Sequence, residues 1–163
     1  MAENRIITFE KNKCWINGNE FFGTAEEGSV EAKRKMLDYD GMAMPAPVKI
    51  PSGKLEAMTA KLKVKLSDPI VLTELSKNRG FVEVRLKGKA AVMNSTQGFV
   101  NDEDITTRIK GFVEEIPTPT HKDGEIPSKE FTINALYLEV SKNGSVILKV
   151  DVSSGEVIPQ DLV

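Results

Sequence analysis

Residues Ala57–Leu66 read AMTAKLKVKL, and this stretch decides the fold. Met58, Ala60, Leu62, Val64 and Leu66 fall on one side, and Thr59, Lys61, Lys63 and Lys65 on the other. Successive side chains of a strand point to opposite faces, whereas a helix needs apolar residues three and four apart. The stretch is therefore a strand with one face buried. Working outward, Phe81–Val92 sets Val82, Val84, Leu86, Ala90 and Val92 against Glu83, Arg85, Lys87 and Lys89. Asp104–Glu114 sets Ile105, Ile109 and Val113 against Asp104, Arg108, Lys110 and Glu114. Phe131–Val140 is apolar on both faces, as expected of a strand covered on both sides. It leads through Asn143-Gly144 into Val146–Val152. Asn-Gly suits a two-residue hairpin turn, which needs positive φ at both centres. A second hairpin is expected at Asn17-Gly18-Asn19, and another strand over Ser29–Leu37.

One short helix is expected, capped by Ser67 or Asp68, with Pro69 in its first turn. Ile70, Leu72, Leu75 and Ser76 follow, and Gly80 stands just past its end. No repeat or linker divides the chain, so residues 1–163 read as a single, predominantly β domain.

The charge is nearly balanced, with 22 basic and 24 acidic residues and a net of −2. That balance argues against a general binder of nucleic acid or membrane surface, which usually carries a basic excess. No stretch approaches the ~18 consecutive apolar residues needed to span a bilayer. The opening MAENRIITFEKN lacks the basic and apolar regions of a secretory signal, so folding in a reducing cytoplasm is expected.

Candidate chemistry is sparse. His121 is the sole histidine and Cys14 the sole cysteine, so no disulfide forms within the chain and a four-ligand zinc site is excluded. His121 sits in a polar loop, PTPTHKDGEIP, over Pro117–Pro127, and Cys14 beside Trp15 reads as a small core residue. Neighbouring carboxylates at Glu26-Glu27 and Glu114-Glu115 point to opposite faces of a strand and make no acid–base dyad. Asn101–Thr106, NDEDIT, lacks the glycine and the distal glutamate of a calcium loop. No phosphate-binding glycine motif occurs. The strand lysines leave single-strand nucleic-acid binding as a weak alternative to a solvated sheet face, because few aromatics are interleaved for stacking. No catalytic residue, cofactor or metal is expected, and the chain reads as a structural subunit.

Tyr39–Glu56 breaks the alternation with YDGMAMPAPVKIPSGKLE. As a connection between strands it exceeds the ~12–15 residues beyond which loops are usually functional or disordered. Met42, Met44, Pro45, Pro47, Val48 and Ile50 make it too apolar for a solvated linker. Something must bury it: the domain's own core or a neighbouring subunit.

The stretch VEAKRKMLDYDGMAMPAPVKIPSGKLEAMTAKLKV (Val30–Val64) resembles part of the major tail tube protein of contractile-tailed phages and related phage-tail-like bacteriocins. ALYLEVSKNGSVILKVDVSSGEV (Ala135–Val157) is similar to the end of that family, a strand–Asn-Gly–strand hairpin with a closing strand. The resemblance implies two packed antiparallel sheets in a β sandwich or barrel, with one flanking α-helix. It implies six-membered rings, each subunit giving strands to an inner barrel, stacked into a tube in the virion tail or tail-like particle. Sheath, tape-measure and baseplate proteins would be the partners, and assembly would occur in the bacterial cytoplasm. DNA would pass the lumen only in a true phage. Tyr39–Glu56, with Tyr39, Gly41, Met42, Met44, Pro45, Pro47, Val48 and Ile50, would then reach into the adjacent ring. Thr59, Lys61, Lys63 and Lys65 would face the lumen. Pro117–Pro127 has no counterpart in the resemblance. The competing expectations are a type VI secretion tube protein and a monomeric β barrel for a small ligand.

Overall fold

The computed structural model describes residues 6–20, 25–65 and 70–162. These form antiparallel strands with one short helix. The expected cap residues Ser67, Asp68 and Pro69, together with Leu66, lie outside the described residues.

β1 (Ile6–Ile16) turns at Asn17-Gly18 into the short β2 (Asn19–Glu20). Both turn residues have positive φ, 51° and 82°, as the Asn-Gly pair anticipates. β1 pairs with β7 (Phe81–Asn94), which forms a long hairpin with β8 (Gly98–Val113). β8 pairs with β9 (Ser128–Lys142). The opposite edge of β9 is shared between two partners. Its second half takes β10 (Ser145–Asp151) through the Asn143-Gly144 turn, and β11 (Glu156–Ile158) follows. Its first half takes β6 (Met58–Lys65), from Lys65↔Ser128 to Met58↔Ala135, and β6 in turn pairs with β3 (Ala25–Glu31).

The sheet thus forks at β9 into a main layer and a wing of β6 and β3. The wing lies over the main layer: a Cβ added at Gly28 of β3 would come within 2.7 Å of Leu86 Cδ1 of β7. Between them sits the core. Met58, Ala60, Leu62 and Val64 of β6 are buried with Val82 and Val84 of β7, Ile109 of β8 and Phe131, Ile133 and Leu138 of β9. The period-2 reading of Ala57–Leu66 is realised within β6. Among the described residues β3 pairs only with β6, so no closed barrel forms within one chain.

The helix, α1 (Ile70–Ser76), closes the core with Val71 and Leu75, both fully buried. Ile70, the first expected face residue, is instead exposed. The buried face is therefore Val71, Glu74 and Leu75, at the three- and four-residue spacing that one side of a helix presents. A 3-10 turn over Lys77–Gly80 ends it, with Asn78, Arg79 and Gly80 all at positive φ.

Two sequence expectations change. Ser29–Leu37 is not one strand: the chain leaves β3 at Glu31 and resumes as β4 (Arg34–Tyr39). Tyr39–Glu56 is not an irregular loop either, because β5 (Val48–Leu55) pairs with β4 as a separate two-stranded sheet. Pro51 obscured this strand. Proline is confined to edge strands within sheets, and among the described residues β5 pairs only with β4. Extra residues on β5 between Pro51 and Leu55 form a bulge, where Gly53 adopts φ 83°. The irregular connection shrinks to residues 40–47.

Candidate assembly surfaces

The β4–β5 hairpin is amphipathic in an unusual place. Tyr39 lies opposite Val48 and Leu37 opposite Ile50, so these four side chains share one face. All are exposed, from 42% at Ile50 to 58% at Tyr39. Asp38 pairs with Lys49 on the other face. Every residue of β4 is exposed, so none of the described residues buries it. At the tip Met42 is fully exposed, while Met44 folds back and donates its N–H to Gly41 O at 3.2 Å. Pro45 and Pro47 are exposed in the same connection.

The hairpin base is tied down. Glu56 N donates to Lys33 O at 2.8 Å, bringing the two ends of the excursion together. Arg34 Nε donates to Leu162 O at 2.8 Å, linking β4 to the 3-10 turn at Gln160–Leu162. An isolated two-stranded ribbon is marginal in water, and four exposed apolar side chains on one face add to its need for a cover.

The second surface is the outer face of the wing. Thr59, Lys61, Lys63 and Lys65 all point there, with Lys61 exposed and the others partly so. Cross-strand neighbours temper their charge. Lys63 stands between Glu27 of β3 and Glu130 of β9, and Lys61 between Ser29 and Thr132. The surface is mixed in charge rather than a basic stripe.

A third surface went unnoticed in the sequence, where its residues read only as a solvated face. The outer face of the main layer carries a row running Trp15, Arg85, Arg108, Glu139 and Lys149 across five strands. Arg85 stacks 4.3 Å from the centre of the Trp15 ring. The Tyr137 hydroxyl donates to Glu139, which holds the phenol above its ordinary pKa. Lys149 pairs with Glu156 at 3.0 Å.

The chemical candidates scatter. His121 is exposed in the 117–127 segment, as are Glu114 and Glu115. Cys14 is buried in the core, and desolvation pushes its thiol up to about 12. Among the described residues no three His, Cys, Asp or Glu side chains cluster as a metal site. None of these groups meets another in a reactive geometry.

The described residues define a forked antiparallel sandwich that displays an amphipathic hairpin. The family model for phage tail tube protein FII matches residues 7–158, and the chain belongs to that family. Its role is accordingly a structural one in a tail tube. No curated protein matches it in sequence.

Proposed function

We propose that the chain forms six-membered rings that stack into the hollow inner tube of a contractile tail or a tail-like particle. The observation that carries this reading is the β4–β5 hairpin, with Leu37, Tyr39, Val48 and Ile50 on an uncovered face and Met42 at its tip. In the tube this hairpin seats on the adjacent ring. Full burial of one such side chain is worth about 1.5–3 kcal/mol, and several per copy offset the cost of fixing the segment. Thr59, Lys61, Lys63 and Lys65 face the lumen, where Glu27 and Glu130 beside Lys63 keep the wall from holding a passing polymer by charge. Sheath protein surrounds the tube, a tape-measure protein occupies it during assembly in the bacterial cytoplasm, and baseplate proteins start it. DNA passes only where the particle carries a filled head.

The test removes residues 36–53 and joins Lys35 to Lys54 through a short Gly/Ser turn, so that Arg34 and Leu55, paired at the hairpin base, keep their contacts with Leu162 and the core. The trimmed chain is expected to unfold at close to the parent temperature and to give no stacked tubes in electron micrographs. Normal tubes would sink the reading. A chain that no longer folds would place the hairpin in the domain's own core.

A further inference from the structure

Arg85 of β7 and Arg108 of β8 are direct cross-strand partners on the outer face of the main layer. Like charges placed directly opposite destabilise a sheet. Glu139, opposite Arg108 on β9, and Glu83 ease the conflict at Arg108, but among the described residues neither arginine Nε finds an acceptor. Arg85 Nε is buried with no hydrogen-bond partner among the described residues, and its guanidinium rests on Trp15. Arg108 Nε is equally without an acceptor. Glu83 Oε1 lies 3.5 Å from it, close enough to attract but poorly directed to accept. Both guanidiniums border a shallow basin of about 530 Å³ that Lys87, Ser141 and Asn143 also line, with Asp104 as its one described acid.

We propose that this basin receives a carboxylate side chain from a second copy of the chain. A carboxylate matches the guanidinium fork with two parallel hydrogen bonds, and such charge-assisted pairs are the strong ones. Trp15 holds the Arg85 plane in place before binding, so little side-chain freedom is lost on docking. A nucleic-acid backbone fits worse. Glu83, Asp104 and Glu139 surround the two arginines, so successive phosphates would meet like charge on either side. A single carboxylate fits between these acids. The inference rests on the self-assembling tube reading and adds a receptor for the neighbour on each copy.

Trp15 is the only tryptophan, so its emission reports on the basin. The full chain is assembled by raising its concentration while emission and electron micrographs are followed. The unassembled protein is titrated separately with acetate, inorganic phosphate and a short single-stranded oligonucleotide. The emission is expected to change at the concentration where tubes appear. Arg85→Gln and Lys87→Gln should each raise that concentration about tenfold or more at unchanged thermal unfolding. Lys87 is exposed, so its variant tests the basin even if Arg85→Gln folds poorly. Tubes from both variants at the parent concentration would overturn the inference while leaving the tube reading intact. So would an emission change with phosphate or oligonucleotide but none on assembly. A parent chain that never assembles would remove the tube reading, and this inference with it.

Discussion

Gly111 and Gly28 both sit where two segments pass closely, but what they meet differs. A Cβ on Gly111 would lie 2.2 Å from Asn134 O and 2.8 Å from Ala135 Cα, both backbone, where β8 and β9 shift register. A Cβ on Gly28 would meet the end of the Leu86 side chain, which can rotate away. Gly111→Ala should therefore cost at least about 3 kcal/mol, and Gly28→Ala about 1 kcal/mol, by denaturant unfolding. Glu74 offers a second test. Its side chain is only 6% exposed, accepts from Lys77 Nζ at 2.8 Å and from Asn17 Nδ2 at 3.2 Å, and so ties α1 to the β1–β2 turn. These bonds, Lys77's first, hold its carboxyl below the usual range. A lowered folded pKa stabilises the fold fully above the unfolded value of about 4.3, and that contribution fades as pH falls through the folded value. Glu74→Gln should cost about 1–2 kcal/mol at pH 7. The gap to the parent should close in acid, which denaturation at both pH values would measure. Reading the apolar residues Ile70, Leu72 and Leu75 could not find Glu74, because its partner Asn17 comes from a distant turn.

Among the elements, those legible in the sequence owe their form to local rules. β6 shows its two faces because one side alone is buried, and both Asn-Gly turns follow from the backbone angles that those residues tolerate. β5 escaped the periodicity because a solvent-exposed ribbon imposes no buried face on the sequence and Pro51 mimics a break, while β4 was expected only as part of a longer Ser29–Leu37 strand. Their pairing was still written in the alternation of Leu37 and Tyr39 with Val48 and Ile50. Since these side chains are exposed in the single chain, the double change Leu37→Ser with Ile50→Thr should shift its stability by no more than about 0.5 kcal/mol. Tube formation should nevertheless fail, as sedimentation and micrographs of the two proteins would show. A matching loss of stability would mean that the apolar face already packs on its own domain.

At the scale of the whole molecule, the sequence told the class of fold but not its plan. The strands that meet at β9 are far apart in the chain: Leu62 pairs with Phe131, and Ile109 with Leu138. No periodicity within one segment can say which distant edge it joins, or that one edge serves two partners. That sharing also sets how the backbone trades protons with water. Between Ile133 and Val140, β9 has β8 on one side and β6 or β10 on the other. Its amides cannot be freed by peeling away either the wing or the β10–β11 edge alone. They should exchange with deuterium last, at a rate set by unfolding of the entire domain, whereas β4 and β5 exchange through small local openings. Early deuteration of β9 in a time course read by mass spectrometry would show that the wing opens independently. Late deuteration would make this strand the slowest clock in the protein, timing each complete loss of the fold.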